Sequence, residues 1–135
     1  MPIIEGTNRL KTAVGEFDLA VDGGAVGTIV LRSGPGDSMG SELPLGSVIT
    51  GGYIEVDTPF TSGGAATVAA NSEGAGDLQA AAAVSGAPWS TTGRKSSTPA
   101  GTGATSIKTT AKRKGALTIA AAALTAGKGR VVVFY

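Results

Sequence analysis

Residues 130–135 read RVVVFY and are the last six of the sequence. This run of apolar residues favours a β-strand that is buried on both of its faces. An exposed apolar strand of this kind would pair with other chains through its free edge. We therefore expect the strand either to be central in its own sheet or to be covered by a partner subunit.

A second strand signal lies near the start of the chain, in residues 17–32 (FDLAVDGGAVGTIVLR). Phe17, Leu19 and Val21 alternate with less apolar residues, which is the two-residue period of a half-buried strand. The Asp-Gly-Gly sequence at 22–24 is typical of a tight turn, and residues 26–32 then form the returning strand. The segment predicts a β-hairpin.

Strand-like runs separated by Gly, Pro and Ser continue through the rest of the chain. We predict strands at 47–57 (with a bulge or bend at Gly51-Gly52), 65–71, 77–84, 105–114 and 115–121, loops at 33–41 and 85–104, and a turn at 124–128. Roughly eight or nine strands are typical of a sandwich. The sequence thus predicts an all-β fold, a jelly-roll-like β-sandwich. It forms one domain over residues 1–135, with residues 1–12 as an extended N-terminal arm.

Composition restricts the classes of function. The chain has 135 residues, a net charge of +1, and neither histidine nor cysteine. So small a charge gives no general attraction to nucleic acid. The lack of histidine excludes Ser-His-Asp and Cys-His catalysis and histidine zinc sites, and the lack of cysteine excludes disulfides and thiolate metal sites. We expect no metal, no cofactor and no nucleic-acid partner.

Targeting signals are also missing from the sequence. Residues 1–10 have neither the basic nor the apolar region of a secretory signal, and no run reaches the ~18 apolar residues of a membrane helix. We expect synthesis in a cytoplasm and no membrane partner. The 22 glycines and the 16% of charged residues indicate many tight turns and a surface that partly contacts other subunits.

Two short motifs bear on catalysis. Residues 36–40 (GDSMG) match the G-x-S-x-G nucleophile elbow, but the elbow needs a strand, a sharp turn and a helix together with a histidine base. Pro2, after removal of Met1, resembles the N-terminal proline base of the tautomerase family, in which a β-α-β unit should follow. Here a hairpin pattern follows instead. We expect the protein not to be an enzyme.

The predicted loop at 85–104 contains the single tryptophan, Trp89. Tryptophan is enriched in interface hot spots, yet a lone Trp in a loop also caps a core, and the sequence leaves both interpretations open. Arg94 and Lys95 follow it. Together with Lys108, Lys112, Arg113 and Lys114 they form the densest basic region of the sequence. Because this region lacks the interleaved aromatics of a nucleic-acid platform, we favour a solvated strand face, or pairing with an acidic neighbouring subunit, over contact with phosphate.

Three segments resemble small structural proteins of tailed bacteriophages, the capsid decoration (cement) proteins. They are FDLAVDGGAVGTIVL at 17–31, LPLGSVITGGYIEVDTPFTSGGAATV at 43–68, and ALTIAAAALTAGKGRVVVFY at 116–135. The LTAGK segment followed by a final apolar strand is the most specific element. Where the family commonly closes in a Glu-Tyr-type pair, this chain has Phe134-Tyr135.

The resemblance implies a virion protein, made in the host bacterial cytoplasm, that decorates an icosahedral capsid as a homotrimer and has the major capsid protein as its partner. We expect the contacts to come from the N-terminal arm and the 86–103 loop, with candidate interface residues Pro2, Ile3, Ile4, Arg9, Trp89, Arg94 and Lys95. The alternatives are a head-fibre base, neck or tail component, a carbohydrate-binding jelly roll, and an enzyme that acts through Pro2.

Overall fold

The computed structural model describes residues 11–33, 42–99 and 101–135. These residues form thirteen strands and one short helix, which confirms the all-β prediction. The elements are β1 (Thr12–Asp18), α1 (Leu19–Asp22), β2 (Gly27–Val30), β3 (Arg32–Ser33), β4 (Glu42–Leu43), β5 (Val48–Ile49), β6 (Gly51–Ser62), β7 (Thr67–Asn71), β8 (Gln79–Ala83), β9 (Gly93–Ser96), β10 (Ile107–Lys108), β11 (Arg113–Lys114), β12 (Ala116–Ala120) and β13 (Leu124–Phe134).

Two antiparallel sheets form the sandwich. Sheet A has the strand order β3-β1-β13-β6-β9, and sheet B has the order β2-β12-β7-β8. Apart from the short strands, the chain visits the sheets in the order A, B, A, B, B, A, B, A, through β1, β2, β6, β7, β8, β9, β12 and β13. We interpret this order as that of an eight-stranded jelly roll.

The expectation for the terminal strand is confirmed. β13 lies inside sheet A, paired with β1 on one side and with β6 on the other. Val131, Val132 and Val133 are each 5% exposed or less. Val131 and Val133 belong to the core between the sheets, whereas Val132 lies on the outer face of sheet A, in register with Tyr53.

The predicted hairpin at 17–32 is wrong. β1 ends at Asp18, and residues 19–22 form one helical turn instead of continuing the strand. The Asp18 carboxylate caps this turn by accepting a hydrogen bond from Ala20 N, and the Asp22 carboxylate accepts one from Asp18 N. Such local bonds compete with a sheet ladder. The chain then crosses to sheet B, where β2 pairs with β12.

Several strand boundaries also differ from the predictions. The bend expected at Gly51-Gly52 falls at Thr50, between β5 and β6, and the second strand runs on to Ser62. The turn predicted at 124–128 is wrong, because these residues belong to β13 and carry its register shifts. The 85–104 loop contains β9, and the strand at 105–114 is reduced to the two-residue pieces β10 and β11.

The N-terminal arm was predicted to span residues 1–12. Lys11 and Thr12 instead belong to sheet A: Thr12 pairs with Phe134, and Lys11 N donates to Tyr135 O over 2.7 Å. Residues 1–10 lie outside the described residues. Within the described part of the chain, no helix is long and apolar enough to cross a membrane.

Candidate interaction surfaces

The outer face of sheet A carries one row of charged residues across all five strands. The register aligns Arg32, Glu16, Arg130, Glu55 and Arg94, in that order, so that positive and negative side chains alternate. Arg130 Nη2 lies 3.8 Å from Glu16 Oε1, and Arg94 Nε lies 4.0 Å from Glu55 Oε2. Opposite charges on neighbouring strands stabilise the pairing. We call these five residues the charge row.

One end of the charge row is tied to the helical turn α1. Arg32 donates from Nε and Nη2 to the two carboxylate oxygens of Asp22, over 2.9 and 3.2 Å. Burial would raise the pKa of Asp22, but the hydrogen bonds from Arg32 and from Asp18 N outweigh it and hold the pKa below its ordinary value. The ionised pair therefore fixes the 19–22 turn against the edge of sheet A.

Aromatic residues flank the other end of the row. The Arg94 guanidinium carbon lies 4.8 Å from the centre of the Tyr53 ring, and the rings of Tyr53 and Phe134 are 6.1 Å apart. The side chain of Arg94 is 69% exposed. Tyrosine and arginine are the residues that interface hot spots favour. We call Tyr53, Arg94 and Phe134 the Tyr53–Arg94 patch.

The outer face of sheet B has a different chemistry. Leu117 and Ile119 point into the core, so the residues that alternate with them point outward. The outward residues are small or β-branched and carry no charge. We call them the neutral face, which consists of Thr28, Val30, Thr67, Ala69, Asn71, Ala80, Ala81, Ala83, Ala116, Thr118 and Ala120.

The polar side chains of the neutral face bond to one another. Asn71 Nδ2 donates to Thr118 Oγ1 over 2.7 Å, and the hydroxyl oxygens of Thr28 and Thr118 are 3.3 Å apart. Asn71 Oδ1 in turn accepts a hydrogen bond from Gly76 N over 2.6 Å. Because these groups already have partners, covering the face with another apolar surface leaves few hydrogen bonds unmade.

Arg94 and Lys95, two of the candidate interface residues predicted from the sequence, do not share a surface. Arg94 and Lys95 are neighbours on β9, and their side chains point to opposite faces. Arg94 joins the charge row, while Lys95 Nζ donates to Thr91 Oγ1 over 2.7 Å and to Thr92 O over 3.3 Å. Pro2, Ile3, Ile4 and Arg9 lie outside the described residues, as does the GDSMG motif at 36–40.

Trp89 belongs to the core and not to the surface. Its side chain is 1% exposed, Nε1 donates to Val68 O over 3.0 Å, and its ring lies 5.0 Å from that of Phe60. The sequence left open whether Trp89 contacts a partner or caps the core. The structure shows that its indole lies in the core. The contact of the surrounding 86–103 loop with a shell stays a prediction.

Arg113, one of the basic residues near position 110, forms an ion pair within the chain. Arg113 Nε donates to Glu73 Oε2 over 2.8 Å and Nη2 to Oε1 over 3.1 Å, and Thr110 N also donates to Glu73. These bonds, those from Arg113 first, lower the pKa of Glu73 to about 2. The pair joins the loop after β7 to the start of β11, so Arg113 has a structural role.

Sequence reasoning missed Tyr53 and the acidic members of the charge row. The signal was present as charged residues at alternate positions, Glu16 and Asp18 in β1 and Glu55 and Asp57 in β6. Such alternation marks an outward face, but it does not say which strands are neighbours. The row emerges only when the register between distant segments is known.

Two features of the described residues bear on metal binding and on sugar binding. These residues contain no group of three or more acidic residues placed to hold a metal ion. Phe17, Phe60 and Trp89 are buried, and the Tyr53 ring is covered by Arg94. The described part of the chain is thus an all-β sandwich with one charged face and one neutral face.

Comparisons with known proteins agree with the fold. No protein-family model matches the chain, and no curated protein is significantly similar to it. Among solved structures, it is similar to a chain described as the cyanophage Pam1 capsid asymmetric unit. The TM-score is 0.60 with 19% identity, and the alignment covers 100% of this chain and 89% of that one. At this identity the similarity shows a shared fold.

Proposed function

We propose that this protein is a non-enzymatic component of a bacteriophage virion, which binds the outside of an icosahedral capsid as a homotrimer. The observation that carries the proposal is the similarity of the whole chain to a chain of a cyanophage capsid structure. The resemblance of three sequence segments to capsid decoration proteins supports it independently, because that resemblance rests on residues and not on the fold.

The outer face of sheet A is the surface that we assign to the major capsid protein. The Tyr53–Arg94 patch supplies an aromatic ring and an exposed guanidinium, and the charge row extends away from it across the sheet. A row of alternating signs favours a partner with the complementary order and repels one that is shifted by one strand. The charge row would thus determine how the partner is aligned on sheet A more than how tightly it binds.

Binding of this kind stabilises a shell by mass action. A protein that binds the assembled lattice, and not its dissociated subunits, shifts the assembly equilibrium towards the shell. A trimer makes three such contacts at once, and the second and third benefit from the effective concentration that the first creates. Neither effect needs a titratable catalytic group. This agrees with the outer face of sheet A, where oppositely charged side chains pair with one another.

Co-sedimentation with empty shells tests the proposal. Shells assembled from the major capsid protein of the same genome are mixed with the purified chain, pelleted and quantified. We expect saturable binding that Arg94→Glu weakens at least tenfold, whereas Lys112→Glu, at an exposed cation away from the patch, leaves it within about twofold. Absence of saturable binding by the unaltered chain would overturn the capsid assignment. Equal binding by both variants would overturn only the choice of surface.

Particle imaging separates decoration from the other virion roles. A head-fibre base, neck or tail component would occupy one vertex or the tail, whereas a decoration protein repeats over the faces of the shell. The carbohydrate-binding alternative gains no support from the described residues, since a sugar needs an open aromatic ring to stack on and Arg94 already covers Tyr53.

A further inference from the structure

The edges of the two sheets are protected to different degrees. Sheet A ends in β3 with Arg32 and in β9 with Arg94 and Lys95, and charged edge residues discourage pairing with another chain. Sheet B ends in β2 (GTIV) and β8 (QAAAA), which carry no charge. An uncharged sheet with two uncharged edges is the part of this domain that gains most from being covered.

The neutral face carries both projecting side chains and a depression that can receive them. At the β2 edge, Val26 and Val30 are 57% and 54% exposed. A depression of about 280 Å³ extends from β12 across β7 to β8 and is lined by small residues such as Ala69, Ala80 and Ala81 and by the polar Asn71 and Thr118. One edge therefore presents exposed branched side chains, and the rest of the face presents a recess lined mainly by small residues.

We infer that the neutral face of sheet B is the contact surface between copies of this chain, with Val26 and Val30 of one copy against the depression of the next. A second copy fits better than an unrelated partner because both halves of the match lie on this one chain. The contact is head-to-tail, since the valines and the depression are different parts of the face, and a contact of this type forms a ring when the rotation between copies closes and an open filament when it does not.

Three copies close the ring in the simplest way. With each neutral face turned towards a threefold axis, the β2 edge of every copy meets the β8 edge of its neighbour. The number of three rests on the proposed homotrimer, but the assignment of the contact surface does not. Sheet A then lies on the outside of the ring with its charge row facing away from the threefold axis, so the two faces of the sandwich have different contacts.

Engineered disulfides test the contact directly, because the natural chain has no cysteine. In the variant Val30→Cys/Ala80→Cys, the two thiols lie on the edge strands of a four-stranded sheet. Three strand spacings of about 4.8 Å keep them roughly 14 Å apart, and a disulfide needs Cα atoms within about 7 Å. Any bridge between the two positions must therefore join different copies.

Oxidation of this variant, without any shell present, should yield a covalent trimer on a non-reducing gel. Val48→Cys/Ala80→Cys is the matched control, because Val48 is also exposed (43%) but lies on β5, outside sheet B, and it should stay monomeric. Independently, Val30→Asp should reduce the mass in light scattering from about three times 13.1 kDa to 13.1 kDa.

The possible failures are distinguishable. A covalent dimer as the end product would overturn the ring of three. Only monomers after oxidation at high protein concentration, or an unchanged mass for Val30→Asp, would overturn the neutral face as the contact. Since no shell takes part, these results are independent of whether the protein binds a capsid.

Discussion

Arg113 and Glu73 form a bidentate ion pair between segments that are distant in the chain, with Nε 2.8 Å from Oε2 and Nη2 3.1 Å from Oε1. The pair lies at one end of the sandwich. The segment before β11 is also joined to the connection between β4 and β5, by a hydrogen bond from Thr109 Oγ1 to Pro44 O over 2.7 Å. Polar contacts thus join these connections, beside the core residues Leu43 and Ile49.

The first prediction concerns the acid stability of this end. The folded-state pKa of Glu73 is about 2, below its ordinary value of 4.5. A depressed folded pKa contributes stability above the unfolded value, and that contribution is lost as the pH falls from about 4.5 to 2. The Tm difference between the natural chain and Glu73→Gln should be largest above pH 5 and shrink steadily below 4.5.

The control for this series is Glu42→Gln, which alters a carboxylate on β4 that is in register with Lys114. The difference in Tm between the natural chain and each variant removes the contributions of the other acidic groups, including Asp22, whose pKa is also lowered. A Tm difference for Glu73→Gln that stays constant from pH 7 to pH 2 would show that the ionised pair does not form.

The second prediction concerns Trp89. Trp89→Ala should lower the free energy of unfolding by about 3–5 kcal/mol, because it empties a core position. Trp89→Phe keeps much of the ring but leaves Val68 O without its donor, which costs about 1–3 kcal/mol. Urea denaturation measures both. A loss below about 1 kcal/mol for Trp89→Ala would place the indole outside the core.

The third prediction uses a glycine in the central strand. A Cβ added at Gly129 would lie 2.4 Å from Glu55 O, in the backbone of the neighbouring strand β6. Since backbone cannot move aside cheaply, Gly129→Ala should cost about 1–3 kcal/mol or more. Gly63→Ala has no atom within 4 Å of the new methyl group and should stay within about 0.5 kcal/mol. Thermal unfolding of the two variants checks the register between β13 and β6.

The fourth prediction separates binding from stability on sheet A. Arg94 is mostly exposed and its ion pair with Glu55 spans 4.0 Å, so Arg94→Ala should cost less than about 1 kcal/mol of stability. Tyr53→Ala removes the ring beneath the guanidinium and should weaken shell binding together with Arg94→Ala. If Arg94→Ala unfolds the domain, Arg94 has a structural role. If the variant binds shells as well as the natural chain does, the Tyr53–Arg94 patch is not the contact with the shell.

The sequence predicted features that depend on side-chain type alone. The run of valines at 131–133 predicted a strand that is central in its own sheet, and β13 is that strand. The strand predicted at 47–57 contains Ile54 and Val56, whose side chains face the core and are 1% exposed. Both inferences need only the period of a strand and the cost of exposing apolar surface.

The errors occurred where local and distant contacts compete. Phe17 and Leu19 have the spacing of one strand, yet the carboxylates of Asp18 and Asp22 hold residues 19–22 in a helical turn. In residues 124–128 the Gly and Lys suggested a turn, but pairing with β6 absorbs them as irregularities of one long strand. No local period reveals such pairings, because they join residues more than sixty positions apart.

The most direct test of the central claim is a cryo-electron microscopy reconstruction of shells incubated with the purified protein, compared with bare shells. Our account predicts additional threefold density that repeats over the outer surface, into which the sandwich fits with the outer face of sheet A in contact with the major capsid protein. Unchanged shells at saturating protein, or density confined to the interior or to a single vertex, would contradict the assignment as a capsid decoration protein.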